Sequence, residues 1–280
     1  MPTFPATAPV PVVVDLPVSS SLHVVASERD DVVVTVLPAD PTKPGDVRAA
    51  DDVRVERAHD AVTITGPRAW KQYVPFAGGS ITVTVELPAG SHLRGSAGTL
   101  FAEGPLGTVE VSVTAGDARI DDASRLNLRC AAGSVVLGRI SGTTSVRVSA
   151  GSVRVAEIAG EGTIRSSAGS ITVARLDGSL DASVTHGDLA VGTLRGTLHA
   201  KAASGGLRVD RLESGEVTLA TSYGSIDVGV PEGTAAWLDV SSQHGSVRNQ
   251  LRPTGGPVDG DDTARIHAST GYGDVVVRRP

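Results

Sequence analysis

Arg129, Arg147 and Arg165 recur at 18-residue intervals, with Ser183 and then Lys201 at the next two places in the series. If strands stack at that period, these side chains form one outward column, with neighbours about 4.8 Å apart. Directly opposed like charges cost up to about 1 kcal/mol per pair unless flanking acids or a bound anion offset them. Two readings stay open. One is a solvated ladder partly neutralised by nearby acids. The other is an anion- or partner-binding stripe for a phosphate, a phospholipid headgroup or an acidic protein.

Carboxylates are the second candidate chemistry. Asp177, Asp181 and Asp188 lie close in the repeat, with Glu157 and Glu161 one repeat earlier. Sugar cleavage needs two carboxyls within about 5–10 Å, in a cleft that shifts the pKa of one of them. Repeats without long insertions leave no walls for such a cleft, so solvated corner charges are expected. His186 and His244 both precede repeat glycines. At three repeats apart, about 14 Å, they are too distant to share a metal ion. Cys130 is the only cysteine, which excludes an intrachain disulfide and a zinc knuckle. It falls at an inward place and is expected to act as a small apolar residue. The chain has no GxxxxGK[ST], HExxH, GxSxG or CxxC motif. No catalytic residue, metal or cofactor is therefore expected, and the chain reads as a non-enzyme.

The elements that must position these residues are short strands. The phrases AGSVRV (150–155), AGSITV (168–173), HGDLAV (186–191) and YGSIDV (223–228) share one pattern. Their glycines belong to a series, Gly98, Gly116, Gly133, Gly151, Gly169, Gly187, Gly205 and Gly224, spaced by 17 to 19 residues. A fixed period of this size marks a stacked repeat architecture. Counted from each glycine, apolar or small residues fall at offsets 2 and 4, then 7, then 11, 13 and 15. In the repeat from Gly187 they are Leu189, Val191, Leu194, Leu198, Ala200 and Ala202. Two runs of period two predict two strands per repeat with a corner between them. The expected fold is all-β: a single-chain parallel β-solenoid, or β-helix, of about 18 residues per coil. The general preference for right-handed parallel connections makes it right-handed.

Residues 1–95 carry strand signals without a clean period, at 12–16, 22–27, 31–38, 52–58, 61–67 and 80–90. They are read as an irregular β region that leads into the solenoid and caps its first coil. Residues 96–280 form the repeats, looser over 225–280, in one continuous structural unit. Within the loop 66–79, Trp70, Tyr73 and Phe76 gather three of the eight aromatics. They form either a lid over the core or an interaction loop. The net charge of −6 argues against nucleic-acid binding through bulk charge. No apolar run approaches the roughly 20 residues that span a bilayer. The opening MPTFPATAPVPVVVDLPV has no basic n-region, so the expected location is cytoplasmic.

The recurring A/H/Y-G-S/D-apolar-x-Val phrase resembles a bacterial β-strand-repeat family of unknown function that carries the label putative adhesin. ITVTVELPAG (81–90), EGTAAWLDVSSQHGSVRN (232–249) and the terminal YGDVVVRR are similar to its actinobacterial branch. The resemblance implies a β-solenoid fold and transfers no catalytic residue. The expected function is a non-enzymatic scaffold presenting a repetitive surface to a macromolecular partner, either a protein or an anionic surface. The alternatives are a polysaccharide-acting β-helix enzyme and a structural protein that self-associates through its solenoid ends.

Overall fold

Alternation of small apolar and polar residues, cut by glycine, dictates strands that bury one side chain in two. A computed structural model describes residues 2–6, 8–58, 60–66, 79–251 and 262–280. These are all-β apart from one short helix. Trp70, Tyr73 and Phe76 lie outside the described residues. The chain divides into two compact units, Met1–Gly138 and Arg139–Pro280.

The first unit opens with β1 (Thr3–Pro5), β2 (Pro11–Asp15), β3 (Ser20–Ser27) and β4 (Asp31–Pro38). After α1 (Pro44–Asp51) come β5 (Arg54–Ala58), β6 (Ala61–Thr65), β7 (Ile81–Pro88), β8 (His92–Ala97), β9 (Thr99–Ala115) and β10 (Ala118–Ala132). The N-terminal stretch supplies parallel strands to the ladder. β2 pairs with β8 through Val12↔Leu93, and β3 pairs with β9 through Leu22↔Leu100. Antiparallel pairs β1–β4, β4–β7 and β5–β6 complete the region. Val12, Val14, Leu22, Val24, Val83 and Val85 alternate into its core.

Nothing in the strand pattern announces α1. Pro44 stands at its start, where a missing N–H costs nothing. Its buried Asp46 accepts hydrogen bonds from the backbone N–H of Asp40 at 3.1 Å and of Ser80 at 2.8 Å. The carboxylate thereby ties the helix to the end of β4 and the start of β7.

Strand β11 (Val135–Ile140) leads into the second unit, which holds β12 (Thr144–Ala150), β13 (Val153–Ala168), β14 (Ile171–His186), β15 (Leu189–Ser204) and β16 (Leu207–Tyr223). Then follow β17 (Ile226–Gly229), β18 (Thr234–His244), β19 (Val247–Asn249), β20 (Asp262–Tyr272) and β21 (Val275–Arg278). From β13 to β15 every paired residue has its partner 18 places on: Val155↔Val173↔Val191 and Ile164↔Ala182↔Ala200. Val155, Val173, Val191, Ile164, Ala182 and Ala200 are all buried.

The expectation of two strands per repeat is not met over β13–β16, each of which is one strand of 16 or 17 residues. A second glycine column, which the anchor series does not include, stands near the middle of each. Gly160, Gly178, Gly196 and Gly215 lie in register with one another at positive φ. At Gly178 (φ +145°) an added Cβ would fall well inside contact distance of the Gly160 carbonyl oxygen. Only a residue without a side chain lets one corner sit on the previous one.

The C-terminal strands are not stacked in sequence order, as stretched repeats would require. β20 inserts between β16 and β18, and β21 between β17 and β19. The physical reason lies in their alternation. Ala264, Ile266, Ala268 and Thr270 of β20 bury cleanly between two neighbours, whereas β18 carries Trp237 at 71% exposure and sits outermost.

Val173→Asp places an unpaired charge at a position that is 0% exposed, at a cost of several kcal/mol. Its β circular dichroism should be lost at temperatures where the parent chain remains folded. A variant that melts with the parent would overturn the inward register. Gly178→Ala should cost about 1–3 kcal/mol in denaturant unfolding, while Ser179→Ala, one residue on, should stay within about 0.5 kcal/mol.

Candidate functional site

Because β12–β16, β20 and β18 pair in parallel, outward residues of the C-terminal half of each repeat form straight rows. One row runs Arg147, Arg165, Ser183, Lys201, Ala220, Ser269, Ser241. The next, two residues back along each strand, runs Ser145, Thr163, Asp181, His199, Thr218, His267, Asp239. Within a row, neighbours are one strand spacing apart, about 4.8 Å, and the rows are separated by about 6.6 Å.

Several arginines on this unit are held in ion pairs, while Arg154, Arg175 and Arg265 are exposed and in no ion pair among the described residues. Arg195 donates to Glu213 at 2.5 Å and Arg211 donates to the same carboxylate at 3.0 Å. The Arg195 hydrogen bond, joined by that of Arg211, holds the Glu213 carboxyl below its usual range against the opposing effect of burial. Arg208 is paired with Asp210, Arg278 with Asp227 at 2.9 Å and Arg139 with Glu157 at 3.5 Å. Arg147, Arg165 and Lys201 are exposed, and no ion pair among the described residues engages them. Arg147 faces Arg165 directly in the ladder. In the first unit, Arg129 is also exposed and in no ion pair among the described residues, and it pairs in register with Ser112. It lines a depression of about 190 Å³ with Asn127 and with Arg94 and Glu110, which form an ion pair at 3.5 Å.

The carboxylates named from the sequence separate by role. Glu157 is bound to Arg139. Asp188 accepts the backbone N–H of Gly206 at 2.7 Å, so it fastens a corner. Glu161 and Asp181 instead share the wall of a depression of about 270 Å³ at the second glycine corner. The repeats therefore do form a shallow recess, contrary to the expectation from their length. Thr144 and Leu180 line it as well. The outward pattern holds the signal for it, but recognising it requires the strand register.

His186 and His244 stand four repeats apart in space, through Ser204, Tyr223 and Tyr272. That is one more than sequence order gives, because β20 lies between them. In this column Tyr223 stacks on Tyr272 at 5.0 Å, and Tyr272 on His244 at 4.5 Å. Stacked corner side chains is what the column is. Asp274 fastens the outermost strands: the backbone N–H of Ser246 donates to it at 2.8 Å and the Ser246 hydroxyl at 2.9 Å. Those two bonds hold its carboxyl below the usual range.

Fold and face together define an all-β repeat protein whose outward surface is ruled into rows of residues held in register. The chain belongs to the Toastrack DUF4097 family, whose model matches residues 14–278. None of the curated proteins matches it. Among solved structures it is similar to a putative adhesin from Bacteroides fragilis, at 9% identity, covering 99% of this chain and 95% of that one, with a TM-score of 0.31. A putative adhesin from Parabacteroides distasonis matches at 15% identity over 99% and 95%, with a TM-score of 0.30. A putative cell adhesion protein from Clostridium sporogenes matches at 9% identity over 99% and 94%, with a TM-score of 0.23.

Cys130 is 2% exposed and its thiol points at the Gly116 carbonyl at 3.8 Å. Burial, with a contribution from Asp117, pushes the thiol above its ordinary value of 9.0. The folded state therefore favours the neutral thiol; this contribution to stability is full below the ordinary value of 9.0 and is lost as pH rises from there through the raised value. Dithionitrobenzoate at pH 8 should leave the native thiol unreacted for hours and titrate it fully in guanidinium. Rapid reaction in the folded state would contradict the burial.

Proposed function

We propose that this chain is a non-enzymatic scaffold that binds an anionic macromolecule through the row Arg147, Arg165, Lys201. In this reading the parallel ladders close into a right-handed β-solenoid of about 18 residues per coil, a rigid body that holds the row straight. One observation carries it: Arg147 and Arg165 face each other in register and no ion pair among the described residues engages either. By contrast, Arg139, Arg195, Arg208, Arg211 and Arg278 are paired, and the other exposed arginines Arg154, Arg175 and Arg265 are opposed in the ladder by Thr172, Glu157 and Glu216. An unpaired cation ladder stores repulsion of up to about 1 kcal/mol per pair, which a bound anion removes. Stacked guanidinium groups suit carboxylate, sulfate or phosphate oxygens, which accept two parallel N–H bonds. Arg129 offers the same chemistry in the first unit, beside the Arg94–Glu110 pair.

The test is retention on an anionic matrix at low salt. Arg147→Glu combined with Arg165→Glu should abolish retention, while circular dichroism and melting temperature stay those of the parent. A folded double variant that elutes with the parent would remove the stripe from consideration. Because the contacts are exposed, retention should also fall as salt is raised through about 0.15 M, where the screening length drops to about 8 Å.

A further inference from the structure

We propose that the ligand of this face is an acidic saccharide. One sugar ring sits in the recess at the second glycine corner of the second unit, and an anionic substituent of the same chain lies on Arg165 and Lys201. The proposal rests on the anion-binding reading above and names its ligand.

The recess, about 270 Å³, is lined by Thr144, Glu161, Thr163, Leu180, Asp181 and His199, among others. The register sets Thr163, Asp181 and His199 side by side, and Glu161 one repeat earlier than Asp181 and two residues short of its level. Among the described residues no ion pair or side-chain hydrogen bond engages Glu161, Asp181 or His199. Thr144 is 1% exposed, forms part of the wall, and its Oγ1 has no hydrogen-bond partner. A buried hydroxyl left in that state costs about 1–3 kcal/mol. At the inward place beside it stands Gly162, so the Leu180 side chain approaches where a Cβ would otherwise sit.

These groups ask for a particular complement. Two carboxylates accept hydrogen bonds and donate none, and the hydroxyls and the imidazole do either. A sugar ring has O–H donors for the carboxylates, and ring and hydroxyl oxygens as acceptors for the hydroxyl and imidazole donors. Hydrogen bonds to ionised carboxylates are about twice as strong as neutral ones. The volume lies at the small end of ligand sites and suits one ring.

The neighbouring row supplies the second half of the recognition. About 6.6 Å along the strands, Arg165, Ser183 and Lys201 present two cations about 9.6 Å apart with a hydroxyl between them. A featureless polyanion that reaches this row is repelled by Glu161 and Asp181. A polyol bearing its charge one ring away meets acceptors first and cations second. The unpaired acids thus act as a filter against bare anions, a way of gaining specificity by repulsion.

The experiment measures binding of the full chain to polygalacturonate, polyglutamate and dextran at one low salt concentration. The parent should prefer polygalacturonate over polyglutamate by at least tenfold and bind dextran weakly. Glu161→Gln with Asp181→Asn should bring the polygalacturonate-to-polyglutamate ratio close to one, by strengthening the polyglutamate arm and weakening the sugar arm. Thr144→Val should lower polygalacturonate binding alone. Arg147→Glu with Arg165→Glu should lose both polyanions. Equal parent affinity for the two polyanions, or an unchanged ratio in the amide variant, overturns the saccharide and leaves the anion stripe standing. Dextran bound as tightly as polygalacturonate, or polygalacturonate still held by the arginine variant, overturns the charge recognition. Failure to bind either polyanion overturns both readings. Melting curves of each variant confirm that a loss of binding is not a loss of fold.

Discussion

The structure depends on one steric condition: at each corner, the carbonyl oxygen of one glycine occupies the place where the next repeat's glycine would carry a Cβ. Gly187 sits over Gly169, and Gly169 over Gly151, with oxygen in the way each time. Meanwhile the N–H of Gly151 donates to Ala168 and that of Gly169 to His186, both at 2.9 Å. The corner is therefore hydrogen-bonded and closed to side chains. A register slip of one residue would bring a Cβ against a carbonyl and turn every valine outward. The apolar interior and the glycine corners enforce the same alignment from two directions.

That alignment makes the outward surface readable as rows. Once Val155, Val173 and Val191 are stacked, Arg165, Ser183 and Lys201 have no freedom to be elsewhere than side by side. Opposite charges brought close by the ladder can settle into pairs, as Arg195, Glu213 and Arg211 do. Rows without an opposite charge keep their hydrogen-bonding capacity for solvent or a ligand. The interior thus carries the stability and the exterior the selectivity, and the two are written in alternate residues of the same strands.

The C-terminal strands show how burial decides placement among strands of similar propensity. β18 and β20 both alternate, and either could follow β16 by pattern. The small, regular inward set of β20 fits between two neighbours, with Thr270 donating to the Gly224 carbonyl at 2.8 Å. β18 exposes Trp237 and leaves Leu238 and Val240 only half covered. The tyrosine pair is a consequence: Tyr223 and Tyr272, 49 residues apart in the chain, become neighbours because β20 enters the stack.

The sequence alone determined the period, the inward positions and the identity of the outward columns, because period and alternation are local properties that survive without knowledge of contacts. It named Arg129, Arg147, Arg165 and Lys201 from spacing. It also gave Cys130 its buried place, by the inward position it holds in the repeat. It did not announce α1, whose stability comes from the long-range bonds of Asp46 to Asp40 and Ser80. Only the tertiary structure decided which strand lies beside which at the C-terminal end, and which charges are left unpaired. It alone brought Thr144, Glu161, Asp181 and His199 to one recess. Those outcomes depend on distances between residues in different repeats, and a linear pattern fixes such distances only after the register and the strand order are set.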